Sequence, residues 1–207
     1  MIAILVAVGA TLVVEGAWAR DVFILGTKLV VKDTGRSSKL VFKSKDGQVE
    51  VPDPAQGPDQ VGATLDVVNP LTDRVGTLTL PASGWKVNRS GTTYKYRDGL
   101  VKVLFRNRRI LKIKVKNTVI DISADSQGTL GIIFTVGPDR YCAIFDPFSI
   151  RRDRPCKFVA KKAAAPVVCP GDVGSPSGAF VAGRGYTHAT GGLPGSGASQ
   201  PGAIELP

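Results

Sequence analysis

Histidine is almost missing from this chain. His188 is the single one among 207 residues, and it falls in a stretch, from Pro170 onward, made mostly of Gly, Pro, Ser and Ala. Ser-His-Asp and Cys-His chemistry needs an imidazole beside the nucleophile, so that scarcity removes both. No G-x-S-x-G elbow occurs, and Gly183-Arg184-Gly185 lacks the strand before and the helix after that a phosphate loop requires. The three cysteines, Cys142, Cys156 and Cys169, form neither a C-x-x-C pair nor a Cys/His spacing, which leaves zinc and thioredoxin-like chemistry without ligands. Calcium has no better support, because IDISADSQG carries two acids and no closing glutamate. Paired carboxylates are the one remaining route to catalysis. Asp121, Asp125, Asp139 and Asp146 cluster in sequence as a glycoside hydrolase would need, yet each adjoins a turn or a strand end, where aspartate serves the backbone. The expectation is a protein that is not an enzyme, with no catalytic residue, no cofactor and no metal.

Past the first residues the chain also lacks any apolar stripe at i, i+3, i+4 and i+7. Short β-branched runs take its place. VFILGTKLVVKD and KLVFKSKD, separated by TGRSS, read as a hairpin, and VGATLDVVN and VGTLTLPA, separated by PLTDR, read as a second. Between these pairs QVEVPDPAQGPDQ holds three prolines, which lack a ladder donor, and reads as a crossing loop. TTYKYRDG puts Tyr94 and Tyr96 on one face and ends in the tight-turn pair Asp98-Gly99. VIDIS, TLGIIFTV and RYCAIF continue the series. Strands arriving every 8 to 12 residues with turn residues between them mark an all-β domain. The expected fold is an antiparallel β-sandwich, with a β-barrel as the alternative.

Three segments follow. Residues 1–19, MIAILVAVGATLVVEGAWA, form an apolar run ending in Ala17-Trp18-Ala19, the small-large-small pattern that precedes signal peptidase cleavage. The run is shorter than the roughly 20 apolar residues of a spanning helix, so it reads as a signal peptide and the mature chain as secreted, periplasmic or extracellular, without a transmembrane segment. Residues 20–169 are the β-rich domain. Residues 170–207 are too poor in large apolar groups to offset their ordering entropy and read as a flexible tail. Overall the chain carries 27 Lys and Arg against 17 Asp and Glu, a net charge of +10. The β-rich domain alone, with 26 bases and 14 acids, carries +12 and so more than the whole excess, a bias toward acidic polysaccharide or an anionic cell surface.

The charge is concentrated where LVKVLF meets ILKIKVK through the polar RNRR. If the two runs pair antiparallel, Lys102, Arg106, Lys112, Lys114 and Lys116 fall near one another, with Arg108 and Arg109 at the turn. Like charges side by side repel, so an anionic ligand is one reading of the cluster. Solvent is the other, with splayed lysines guarding an edge strand against aggregation. The row has no aromatic side chain, and with export expected that makes nucleic acid an unlikely partner. Trp85, Tyr94 and Tyr96 could form a sugar-stacking platform, but a Gly-Trp pair opening a strand reads more readily as core. The functional expectation is a structural or adhesive domain, with binding of an acidic glycan or other anionic surface through the basic strand pair as the alternative.

In an oxidising compartment two of the cysteines pair, and spacing alone does not choose them. RYCAIFDP followed by KFVAKKAAAPVVCP, together with KLVVKD and KLVFKSKD before a GATL, VVNP and TLTLPASGW segment, resembles a β-rich module of secreted bacterial proteins that has no assigned activity. The resemblance runs from about Leu29 to Pro170. It implies a bridge between Cys142 and Cys169, with Cys156 in place of Cys169 as the rival pairing.

Overall fold

Period-two runs become strands, and their apolar positions close over one interior. The computed structural model describes residues 19–51, 53–71, 73–117, 120, 122 and 125–172. In chain order the strands are β1 (Arg20–Phe23), β2 (Gly26–Asp33), β3 (Ser38–Ser44), β4 (Ala63–Asn69), β5 (Asp73–Leu80), β6 (Trp85–Val87) and β7 (Thr93–Asp98). They continue as β8 (Val101–Arg106), β9 (Ile110–Lys116), β10 (Leu130–Val136), β11 (Asp139–Phe145), β12 (Ile150–Arg154) and β13 (Lys157–Ala163). Among the described residues helix is confined to short turns such as α1 (Pro58–Val61).

Two sheets result. One has five strands in the order β1-β11-β10-β4-β5, the other eight in the order β12-β13-β2-β3-β9-β8-β7-β6. Every pairing is antiparallel except β1 with β11. The sheets stay open and pack face to face as a sandwich, so the barrel alternative gives way to the fold expected first.

Aromatic side chains bridge the two layers. Phe42 of β3 meets Phe145 of β11 edge-on at 6.2 Å, and Phe105 of β8 meets Tyr141 of β11 at 5.4 Å. Trp85 is buried against Tyr96 at 5.3 Å and donates its indole N–H to the Leu80 carbonyl at 3.4 Å. A Cβ on Gly84 would run into the Tyr96 ring, which explains the Gly-Trp pair. The crossing loop does more than cross. Val49 and Val51 enter the interior, Tyr141 donates its hydroxyl to the Glu50 carbonyl, and Asn107 accepts the Val51 N–H at 3.2 Å.

The outer face of the five-stranded sheet is covered around a disulfide. Cys142 is bonded to Cys169 across a sequence separation of 27, with Cα atoms 5.3 Å apart. Val68, Ile133 and Phe23 pack around the bridge as a small second core. Pro170 sits directly on Gly131, where any Cβ would collide with it. Cys156 stands outside the bridge at the β12 to β13 turn, with φ 64° and its N–H on the Ile122 carbonyl at 2.9 Å.

Four places depart from the sequence reading or escape it. The parallel strand β1 and the cationic strand β12 are additional strands. In VIDIS, the described residues Ile120 and Ile122 are buried but lie in no strand. The chain beyond Cys169 holds its course through the turn Pro170–Asp172. The signal-peptide expectation for 1–19 and the rest of the 170–207 tail lie outside the described residues, Ala19 and this turn excepted.

Candidate anion-binding face

Alternation sends Leu111, Ile113 and Val115 of β9 inward and Lys112, Lys114 and Lys116 outward. On β8 the same rule sends Val101, Val103 and Phe105 inward and Lys102 and Arg106 outward. The two strands pair as expected, with Lys102 opposite Lys114 and Arg106 opposite Ile110. Neither strand is an edge, however. β9 lies between β3 and β8, and β8 lies between β9 and β7. Lysine as protection for an edge strand is therefore not the explanation at this position.

The cluster belongs to something larger. One row runs across five strands: Arg154 pairs with Lys157, Lys157 with Lys32, Lys32 with Lys39, and Lys39 with Lys116. A second joins Lys161 to Lys28, Lys28 to Lys43 and Lys43 to Lys112. It continues past Leu104 to Lys95 and Lys86. Arg97 extends the pair of Lys114 and Lys102 onto β7. Among the described residues, every ionisable side chain at an outward position of these eight strands is a lysine or an arginine.

Acids stand close by but are occupied. Asp33 accepts the Gly35 N–H at 3.0 Å, Asp98 the Val101 N–H at 2.9 Å, and Asp153 those of Gln127 and Gly128 at 2.9 and 2.6 Å. All three cap turns from strand ends on the inward-facing side. The crowding of cations has an electrostatic signature at Lys157: Arg152, partial desolvation, Lys32 and Arg154 together push its ammonium pKa below the usual lysine range. Around Leu104 the surface dips into a shallow hollow rimmed by Lys95, Arg97, Lys102, Lys112 and Lys114.

Of the residues singled out from sequence, Lys102, Arg106, Lys112, Lys114 and Lys116 share this face. Arg108 is diverted: its guanidinium pairs with Glu50 at 2.9 Å, which raises its pKa, and its N–H bonds Val49. Arg109 stays at the turn, its N–H on the Arg106 carbonyl at 3.2 Å. The lysines of β2, β3 and β13 were not assigned to the site from sequence, although KLVVK and KLVFK show the same alternation. β3 joins β9 across more than 60 residues and β13 joins β2 across more than 120, and no local signal encodes either register.

The four aspartates considered for hydrolysis do not assemble. Asp139 is buried with its carboxylate on Arg20 at 2.9 and 3.1 Å. Asp146 accepts the Ser149 N–H at 3.0 Å. Asp125 is exposed, and Asp121 and His188 lie outside the described residues. Asp21 comes within 4.8 Å of Cys142 and Cys169. Those sulfurs are bonded to each other, and Arg140 holds the carboxylate at 2.6 and 2.8 Å. The trio therefore offers a metal no thiolate. Trp85, Tyr94 and Tyr96 are core and present no stacking platform. No protein-family model, curated protein or solved structure matches this chain.

Proposed function

We propose that the protein is a secreted, non-enzymatic adhesive domain that holds an anionic polymer or surface against the outer face of its eight-stranded sheet. The observation that carries this reading is the uniform sign of that face. Lysines in register repel one another by a few tenths of a kcal/mol per pair, and interspersed glutamates would have relieved that repulsion at no cost to the alternation. A field of one sign raises the local concentration of polyanions and speeds their capture. Lysine predominates over arginine here, which suits a partner recognised by charge density more than by the bidentate geometry an arginine fork selects. Export is part of the reading, and the Cys142–Cys169 bridge supports it, because disulfides persist in oxidising compartments.

Retention of the full chain on immobilised heparin, measured against salt, tests the proposal. Binding is expected to weaken linearly in log salt, and Lys112→Glu/Lys114→Glu is expected to reduce the slope by about two, roughly one per lost contact. Retention that ignores salt, or that the double substitution leaves unchanged, removes the reading.

A further inference from the structure

The cationic rows are not uniform, and their pattern says more than their net charge. On β13, β2 and β3 the register sets Val159 beside Val30 and Val30 beside Val41. All three valines are outward and half-buried. Two residues along each strand, on the same face, cations flank them on both sides: Lys157, Lys32 and Lys39 on one, Lys161, Lys28 and Lys43 on the other. The ends are closed as well, since Val159 pairs with Arg152 and Val41 with Lys114. The result is an apolar floor inside a complete cationic frame. With strands about 4.8 Å apart and about 3.4 Å per residue, the frame measures roughly 19 Å across the strands and 14 Å along them.

Resting on the reading of this face as an anion site, we infer that the valine floor and its two lysine rails seat a linear acidic polysaccharide, its chain running across the strands. Sugar rings offer what the floor and rails need together: C–H faces to lie on valine, and carboxylates or sulfates projecting from both edges to meet lysine. Other polyanions satisfy only part of the pattern. Polyphosphate has no apolar face to set on the floor. Single-stranded nucleic acid gains affinity by stacking on aromatic side chains, and the aromatic residues of this sheet all point inward. An anionic bilayer is flat, whereas strands twist by about 20–25° each, so a plane meets only a few of the eight strands while a flexible chain follows the row. Among the described residues the face carries no outward tryptophan or phenylalanine, and its one outward leucine, Leu104, is half-buried among lysines and does not project as the side chains that interfacial membrane binders insert do.

The test compares heparin, polyphosphate and vesicles of equal phosphatidylserine and phosphatidylcholine as probes for the full chain at one fixed low salt. Val30→Ser/Val41→Ser is expected to lower heparin affinity about tenfold and to change polyphosphate affinity less than twofold. Lys28→Glu/Lys32→Glu is expected to weaken both. Val30→Thr/Val41→Thr, which keeps β-branching, serves if the serine variant melts early, with the same direction expected. Equal losses for heparin and polyphosphate in the valine variants, or no loss for either, overturn the seated polysaccharide and leave the anion site standing. Vesicle binding as tight as heparin binding overturns it in favour of a membrane. If none of the three probes binds, the anion site itself falls.

Discussion

On the five-stranded sheet, Asp21 and Arg140 are locked together, Asp66 accepts the Thr77 hydroxyl at 2.7 Å, and the disulfide draws Pro170 down onto Gly131. On the eight-stranded sheet, among the described residues, no acid shares the outward positions with the cations. The two faces rest on the same interior and follow the same alternation, so neither folding nor solubility requires them to differ. One outer face pairs an acid with a base and is cross-linked and capped around its disulfide. The other is left bare and of one sign. On the proposed reading, that repulsive property of the bare face serves the binding of a polyanion.

The largest expected change comes from the capped side. Replacing Cys142 and Cys169 by serine opens a closed loop and should lower stability by about 3 to 4 kcal/mol in denaturant melts, while leaving heparin retention of the remaining folded protein intact. Loss of both together would mean that the two faces are not independent.

A smaller effect is expected in the interior the faces share. Tyr141→Phe leaves the Glu50 carbonyl without its donor and should cost about 1 kcal/mol at neutral pH. Burial first, then the Asp139 charge, hold the Tyr141 phenol well above its ordinary pKa of 10.0. A raised folded pKa keeps its stabilising contribution complete below the unfolded value and loses it as pH climbs from there toward the folded one. Stability should therefore fall above about pH 10, and Tyr141→Phe should blunt that alkaline limb. A limb of unchanged steepness would assign it to other groups.

The bare face should show the smallest changes in stability and the most telling ones. Lys32→Gln, in the middle of the unbroken five-strand row, is expected to raise stability by a few tenths of a kcal/mol and to do so less in high salt, where repulsion is screened. Lys157 sharpens the contrast without any substitution. Its pKa is depressed chiefly by Arg152, so its repulsion is felt while it is protonated and is relieved as pH rises through the folded pKa. A bound polyanion should reverse the shift, raising the Lys157 pKa in side-chain NMR titration and drawing protons from alkaline buffer on binding.

Much of this was legible in the chain itself. The alternation in LVKVLF and ILKIKVK gives the β8 and β9 faces directly, and the turn residues between runs give most of the hairpins. Local pattern also identifies KLVVKD with KLVFKSKD as a pair. It does not say that this pair adjoins β9 on one side and β13 on the other, because those neighbours are chosen by closure of the whole interior. IRRDR has no apolar alternation and becomes a strand only because β13 offers it a ladder. RDVF is too short to signal a strand, and its parallel pairing with β11 depends on contacts 119 residues away. The candidate face was thus visible as a cluster on two strands and invisible as a field over eight.

The rows of that field are made from segments scattered between Lys28 and Lys161, and they exist only while the strands are in register. A partner that grips across the rows has affinity for the folded chain and little for the unfolded one, so it adds to thermal resistance in proportion to its abundance. An unidentified ligand can then be sought by melting the protein in crude fractions of its surroundings and following whichever fraction moves the transition upward.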